Sequence, residues 1–272
     1  MPLSGRSKGL TMTDLAPDSI ASARLAEAGR VWTSDLSVSE FALLDAAGFR
    51  PMEFVMGSSV FHIGWQQQNL RQSTELQVLS QAMYTARTNA MGRMLAEAAQ
   101  VGADGVVGTR LTFRQHGVSP EHIEFIAVGT SIISKDNPGA MRRPDGAPFS
   151  SHLNVQDFYT LLKTGHVPVE FVMGVCVWHV AAQGFMQTLR QIGQNIEMPQ
   201  WTQGYYDARE TALARMQGEA ERVQATGITG VEWAASEWMW GTHTLEFFTS
   251  GTAVRKVGEA AGFEPGFVLP LK

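Results

Sequence analysis

Two near-copies of one stretch decide the fold of this chain: PMEFVMGSSVFH at Pro51–His62 and PVEFVMGVCVWH at Pro168–His179. The copies lie 117 positions apart without a gap, and the match extends over residues 38–64 and 155–181. Across those ranges 12 of 27 positions are identical, which is far above chance, so we predict one structural unit used twice. Each stretch is almost continuously apolar, a pattern typical of a strand buried on both faces.

Gly57 and Gly174 occupy the middle of these two strands. Glycine weakens a strand interior, so we expect each of them to mark a bulge or the close approach of another backbone. Pro51 and Pro168 fit the first strand position, where a missing amide donor is tolerated.

A short helix is predicted before each strand. Ser37 and Glu40 have the spacing of a capping box, and Asn154 with Asp157 repeats the device with different residues. A glycine follows each short helix, at Gly48 in the first copy, and we expect it to end the helix there.

A long helix and an antiparallel hairpin complete each unit. Apolar residues at helical spacing predict the long helices over residues 84–98 and 205–223, where counterparts lie 122 positions apart. The hairpins follow at residues 105–133 and 230–254. Strands on one side of a layer of helices indicate an α+β fold.

The composition narrows the class of protein. With 272 residues the chain is long enough for two domains, and 44% apolar against 17% charged residues is globular. A net charge of −5 gives no overall basic footprint for nucleic acid. The single cysteine, Cys176, excludes a disulfide framework within the chain and suits a reducing compartment. The sequence has no apolar run of membrane-span length and no signal-peptide core, so we predict a cytoplasmic location.

The turn from the first long helix into its hairpin reads EAAQVGADGVVG at residues 97–108. This run resembles the YbjQ-like domain, and so do VGTSI at 128–132 and SGTAV at 250–254. The second copy departs from the family pattern at 224–230. The resemblance implies two tandem YbjQ-like, dodecin-like domains, each a small antiparallel or mixed sheet packed on helices.

The predicted domain boundaries follow from the repeat, the resemblance and the Pro- and Gly-rich segment between the copies. They are an N-terminal tail and short helix at 1–30, the first YbjQ-like repeat at 31–135, a linker at 136–149, the second repeat at 150–257 and a C-terminal tail at 258–272.

The resemblance also implies partners and a ligand class. Such domains assemble into rings, commonly pentamers, so we expect a homo-oligomer in which five chains form two stacked five-membered layers. The family is described as heavy-metal-binding, which makes a divalent transition metal the expected cofactor, but it supplies no set of ligand residues. Neither nucleic acid nor a membrane span is expected.

His62 and His179 are the candidate metal ligands, because they occupy the same place in both copies and imidazole binds zinc, copper and nickel. The alternative is a buried histidine that donates to a backbone carbonyl. Strand periodicity places Glu53 opposite His62, and Cys176 opposite His179, unless a bulge at Gly57 shifts the face of Glu53. A metal site would therefore have to form between strands, copies or subunits.

Three further groups carry weaker signals. The residues His116, Glu121, His122 and Glu124 cluster at one hairpin turn, as candidate metal ligands or as an ordinary polar turn. The matched pair Glu124 and Glu246 suggests ion pairs, with Arg87 and Arg209 as candidate partners. The aromatic set Trp233, Trp238 and Trp240 suggests a subunit or inter-repeat interface, with a ligand pocket as the alternative.

The sequence contains no GxGxxG, Walker, HExxH or GxSxG motif, which disfavours an enzyme without excluding one. Three hypotheses follow. The first is a non-enzymatic, ring-forming protein that binds a heavy metal or a small ligand, and the second is a structural scaffold with no ligand. The third is an enzyme whose site lies between the two repeats.

Overall fold

A computed structural model describes residues 19–27, 29, 31–62, 72–115, 122–181, 197–237 and 243–259 of the chain. Its helices are α1 (Ser19–Ala26), α2 (Val38–Ala46), α3 (Gln77–Gln100), α4 (Val155–Lys163) and α5 (Pro199–Arg222). Its strands are β1 (Phe49–His62), β2 (Thr74–Glu75), β3 (Gly105–Gln115), β4 (His122–Ser134), β5 (Phe149–Ser150), β6 (His166–His179), β7 (Gly227–Glu237) and β8 (Thr244–Lys256).

The strands form two sheets, with the orders β1-β4-β3-β5 and β2-β6-β8-β7. Each repeat contributes three antiparallel strands to its own sheet, which confirms the predicted α+β fold with two tandem copies. The short strands β2 and β5 each link the two repeats. β2 of the first repeat pairs with β6 of the second, and β5 pairs in parallel with β3 of the first.

The long helix of each repeat packs on its own sheet, α3 on β1 and β4 and α5 on β6 and β8. The mid-strand glycines permit this contact, because a Cβ at Gly57 would overlap the carbonyl oxygen of Ala90 and one at Gly174 that of Ala212. The close approach expected at both glycines is confirmed. The bulge lies elsewhere, between Pro51 and Glu53 and at the matching place in β6.

The short helices begin as the sequence predicts. Ser37 and Glu40 form a complete capping box at α2, and the Asn154 side chain accepts a hydrogen bond from the Asp157 amide at α4. Gly48 and Gly165 follow these helices with φ of 82° and 75°, in the left-handed region that favours glycine.

Helix α3 contributes to both halves of the molecule. Its buried residues, among them Met83 and Met94, share one apolar cluster with Val55 of β1 and with Met173 and Val175 of β6. Strand β6 is therefore covered by α5 on one face and by the helix of the first repeat on the other. The two repeats thus share one apolar cluster, while the α5 face of the second sheet has clusters of its own.

The strands β1 and β6 differ in burial although their sequences match. Residues 171–177 of β6 are all buried, as predicted for a strand covered on both faces. In β1 burial alternates, and Met56 and Val60 on the outer face are 49% and 52% exposed. The prediction of two-sided burial was thus wrong for β1, because no described part of the chain covers its outer face in the way that α3 covers β6.

The helix contact at Gly57 can be tested by one methyl group. We expect Gly57→Ala to lower the free energy of unfolding by about 1–3 kcal/mol, because the backbone of α3 would have to move away from β1. Gly218→Ala in α5 is the matched control: no described atom lies within 4 Å of its Cβ position. Helix propensity predicts that this control is about 0.5–1 kcal/mol more stable. Urea unfolding measures both, and equal effects would contradict the close contact.

Candidate functional site

The outer edge of β6 carries many polar contacts between the two repeats. We call this site the repeat junction, and it consists of the β6 edge at residues 171–177 together with the groups of α3 and residues 73–76 that bind it. Alternate backbone groups of this edge point away from β8 and would otherwise lack partners. The Tyr84 hydroxyl accepts a hydrogen bond from the Val175 amide at 3.1 Å and donates to the Met173 carbonyl at 3.3 Å. The Ser80 hydroxyl oxygen accepts from the Val177 amide at 3.1 Å.

A buried ion pair links the two long helices across this edge. Arg87 Nη1 lies 3.1 Å from Glu219 Oε1, with the two side chains 6% and 10% exposed. Arg87 Nη2 also donates to the Phe171 carbonyl at 2.7 Å, and Glu219 Oε2 accepts from the Met173 amide at 2.8 Å. These extra hydrogen bonds compensate the desolvation that a buried ion pair requires.

A second ion pair joins the repeats at the end of the edge. Arg215 of α5 binds Glu75 of β2 through both carboxylate oxygens, with Nη2 and Oε2 2.9 Å apart. Arg215 also donates to the Val175 carbonyl at 2.8 Å. The edge of β6 is thus held by side chains from both repeats.

Burial sets the protonation of two groups near the junction. It raises the pKa of Tyr84 to about 12, so the phenol stays neutral and can both donate and accept. Burial also raises the pKa of Cys176, on the α5 face of β6, to about 12. A thiol of this kind is not a nucleophile at neutral pH.

A second contact between the repeats lies beside β3. Residues 149–153 run beside β3, where the Phe149 amide donates to the Asp104 carbonyl at 3.0 Å and the Ser151 amide to the Val106 carbonyl at 2.9 Å. Helix α4 packs on α2 next to this contact. The rings of Phe149 and Phe158 stack with centroids 5.9 Å apart, and both side chains are fully buried.

The two predicted metal ligands lie in different surroundings. His62 is exposed at the end of β1, where its ring centroid lies 5.0 Å from that of His122 on β4. His179 is 3% exposed at the end of β6, opposite Thr74 of β2. The two histidines belong to separate sheets, and within the described ranges no group of three or more His, Cys, Asp or Glu side chains could hold a metal ion. Metal binding at His62 and His179 stays a prediction.

Glu53 and His62 lie on opposite faces of β1, as strand periodicity predicts. Residues 53–62 pair with β4 without a shift, so Glu53 is buried on the inner face while His62 is exposed. Arg24 of α1 lies 3.2 Å from the Glu53 carboxylate, which also accepts a hydrogen bond from Thr33.

The remaining candidate residues from the sequence have different contacts from those predicted or lie outside the described residues. Glu124 pairs with Arg114 at 2.7 Å, so Arg87 is not its partner and that prediction was wrong. Arg209 contacts the neighbouring Glu210 at 2.6 Å. Trp233 is 69% exposed on β7 and stacks on Phe247. His116, Glu121, Trp238 and Trp240 lie outside the described residues.

The sequence carries a signal for the junction in matched polar residues of the two long helices. Tyr84, Arg87 and Glu97 recur as Tyr206, Arg209 and Glu219, at matching positions of the two long helices. Polar residues kept in both copies of a mostly apolar helix indicate buried hydrogen bonds. Which backbone they reach could not be inferred, because the partner strand lies in the other repeat.

These observations define a class of protein: a tandem pair of small α+β domains joined by a polar, strand-edge junction. The family described as "Putative heavy-metal-binding", the YbjQ family, matches residues 50–135 and 164–257, and the chain belongs to that family.

Two relatives illustrate how far the similarity extends. An encapsulin nanocompartment protein of Mycobacterium tuberculosis is 59% identical over 254 residues, which is 93% of this chain and 97% of the relative. A UPF0145 protein of Thermus thermophilus is 42% identical over 59 residues, covering 22% of this chain and half of that relative.

The junction predicts a specific stability pattern. We expect Arg87→Ala to lower the free energy of unfolding by about 3–5 kcal/mol, because Glu219 would keep a buried charge without its main partner. Arg114→Ala is the matched control, since the Arg114 side chain is 61% exposed in its pair with Glu124. An exposed pair contributes about 0–1 kcal/mol. Urea unfolding followed by circular dichroism compares the two, and similar losses would argue against a buried junction.

Proposed function

We propose that this chain is a self-assembling protein whose copies associate head to tail into a closed ring. In this proposal the repeat junction occurs twice per chain, once inside the chain and once between neighbours. Within a chain, α3 of the first repeat binds the edge of β6 in the second repeat. Between chains, α5 of one chain would bind the outer edge of β1 in the next chain.

The observation that carries the proposal is a mismatch in burial between matched residues. Seven apolar side chains are at least 38% exposed, while their counterparts in the other repeat, in or beside the junction, are at most 7% exposed. With the exposed member first, the pairs are Trp32 and Phe149, Val38 and Val155, Phe41 and Phe158, Met56 and Met173, Val60 and Val177, Met198 and Leu76, and Tyr205 and Met83. Exposed apolar patches on both ends of a chain mark interaction surfaces.

Polar residues match in the same way. Helix α5 presents Thr202, Tyr206 and Arg209 at the positions that Ser80, Tyr84 and Arg87 hold in α3. Tyr206 is 51% exposed, and its ring lies under the exposed Arg209 guanidinium at 4.8 Å. These side chains are therefore available to a strand edge outside the chain.

The outer edge of β1 is the matching acceptor. Glu97 of α3 accepts from the Met56 amide at 3.0 Å, and Arg93 donates to the Ser58 carbonyl, as Glu219 and Arg215 do in the second repeat. Burial raises the pKa of Glu97, so a cation beside it would be favourable. By analogy with the junction, Arg209 of a neighbouring chain would pair with Glu97.

A second cross-chain ion pair follows from the same register. Glu75, which binds Arg215, has Glu197 as its counterpart, and Arg215 has Arg93. Glu197 is exposed and accepts a hydrogen bond from Thr202 at 2.8 Å. Two oppositely oriented ion pairs would fix the register of neighbouring chains.

A contact between two different surfaces produces a ring when its rotation closes. Because the repeats lie side by side within one chain, they would alternate around the ring. A single ring of this kind contains two repeats per chain, whereas each five-membered ring that the family resemblance implies contains five domains. The alternative of two stacked five-membered layers would need a contact that the junction does not supply.

The biological setting of the proposal comes from the relatives. Similarity over almost the whole chain to an encapsulin nanocompartment protein supports a role connected with such a compartment. A structural scaffold without a ligand agrees with this setting. A cytoplasmic location is part of the proposal, supported by a single cysteine that suits a reducing compartment.

Metal binding is the second candidate function, and the cross-strand pair of His62 and His122 favours it. Two imidazoles 5.0 Å apart can contribute two ligands to a transition metal. His179, buried opposite β2, is less accessible to an ion.

The assembly has a direct test in native mass spectrometry. We expect a closed particle whose mass is a whole multiple, greater than one, of the 29.7 kDa chain. Tyr206→Ala and Arg209→Glu should each reduce it to single chains or short oligomers, because they remove the groups that would hold the β1 edge. Gln203→Ala is the control, since position 203 and its counterpart Gln81 are both exposed. A monomeric unmodified protein would remove the ring.

A charge exchange tests the register of the same contact. Arg93→Glu and Glu197→Arg should each weaken assembly, and the double variant should restore part of it, because the ion pair is rebuilt with reversed polarity. No recovery in the double variant would argue against this pairing.

The metal function is tested with metal-depleted protein titrated with zinc, copper or nickel. We expect the added mass of an ion to disappear in His62→Ala and to persist in His179→Ala, because only His62 is exposed beside a second imidazole. An unchanged mass for the unmodified protein at every metal concentration would exclude metal binding.

A further inference from the structure

In the part of the chain that the structure describes, no strand pairs with the outer edge of β7, whereas the counterpart edge of β3 is paired. Residues 231–235 of β7 are all exposed, with Val231 at 48% and Trp233 at 69%. In the first repeat, β3 is bordered by residues 149–153, and Thr109, the counterpart of Val231, is 2% exposed. An exposed strand edge invites another strand to pair with it.

The two edges have the same backbone form. Each strand has a register shift against its hairpin partner, between Val107 and Arg110 in β3 and between Thr229 and Glu232 in β7. The glycine inside each shift has nearly the same φ, 61° at Gly108 and 63° at Gly230. The Gly108 amide donates to the Leu153 carbonyl at 2.9 Å. The Gly230 amide is thus shaped to receive an equivalent carbonyl.

The chain contains a second segment of the kind that covers β3. Residues 32–36 lie 117 positions before residues 149–153, and both segments lead into a capped short helix. Each is anchored to its own repeat by the same bond: the Asp35 amide donates to Thr130 Oγ1 at 3.2 Å, and the His152 amide to Thr252 Oγ1 at 3.2 Å. The segment at 32–36 is therefore anchored to its own repeat at the place where residues 149–153 are anchored to theirs.

Two glycines show where its aromatic residue would sit. A Cβ at Gly105 would overlap the ring of Phe149, so the first repeat needs glycine there. Gly227 is the counterpart of Gly105, yet the nearest described atom to its Cβ position is Val254 Cγ2 at 4.0 Å. The space above Gly227 matches an aromatic ring, and Trp32, the counterpart of Phe149, is 47% exposed.

We infer that residues 32–36 of a second copy of this chain pair in parallel with β7, with the Trp32 ring seated over Gly227. The register follows that of Phe149 with Gly105 and Ser150 with Val106, so Thr33 faces Ile228. The Ser34 amide donates to the Ile228 carbonyl, and the Gly230 amide to the Leu36 carbonyl. The inference rests on the proposed head-to-tail assembly and names the strand that completes its sheet.

Disulfide trapping tests the register. Directly facing residues on neighbouring strands have the spacing that a disulfide requires, so Thr33→Cys with Ile228→Cys should link successive chains on oxidation. Non-reducing electrophoresis should then show a ladder of covalently linked oligomers, the largest of which contains every chain of the ring. Cys176 is buried and does not interfere.

Two matched pairs control this experiment. Val106→Cys with Ser150→Cys occupies the corresponding position inside the chain and should give a disulfide without a ladder. Thr33→Cys with Ala235→Cys lies on the same strand edge out of register and should give neither product. A ladder from the out-of-register pair, or none from Thr33→Cys with Ile228→Cys in protein that remains assembled, would overturn the inference.

Gly227→Ala separates the strand contact from folding. The added methyl has room within the chain, so the thermal midpoint of the dilute protein should not fall, whereas Gly105→Ala should lower it. Linked product in the Gly227→Ala background should drop about tenfold, because the methyl would overlap the Trp32 ring. Unchanged linking would overturn the seat at Gly227. Loss of all assembly in the unmodified protein would instead overturn the ring on which the inference rests.

Discussion

A strand edge that needs partners is the constraint on which this structure depends. The backbone groups of β6 that point away from β8 are satisfied by side chains of both repeats: Tyr84, Ser80 and Arg87 come from the first, and Glu219 and Arg215 from the second. Unpaired buried amides and carbonyls are strongly unfavourable, so the second sheet is stable only with the first helix in place. We therefore expect the two repeats to fold and unfold as one cooperative unit rather than as two independent domains.

The same constraint explains why identical sequences have different environments. Met173 is fully buried beneath α3, while Met56, the matching residue of β1, is half exposed. A head-to-tail arrangement of two copies necessarily leaves one strand face and one helix face without a neighbour. The residues on both free faces retain the chemistry of the junction, since Arg209 corresponds to Arg87 and Glu97 to Glu219. This asymmetry supports the proposed head-to-tail ring.

The buried polar contacts at the junction fix the register of α3 along β6 more than they strengthen the association of the two repeats. An apolar contact could slide along the strand, whereas Arg87 must meet Glu219 and the Phe171 carbonyl at the same time. Such a requirement allows the two repeats to meet in one way only. The family description as metal-binding finds less support in the geometry, because His62 and His179 occupy separate sheets.

The sequence by itself determined the duplication, the α+β class and the caps at Ser37 and Asn154, because these depend on residues close in the chain or on direct self-comparison. It also indicated a bulge or a close backbone approach at Gly57, because a glycine weakens a strand interior, and the structure shows the close approach. Tertiary structure alone decided the bulge beside Pro51, the partner of Arg87 and the uneven burial of β1 and β6. Each of these depends on which repeat lies against which strand. A hydrophobic pattern records that a face is to be buried, but not which surface buries it.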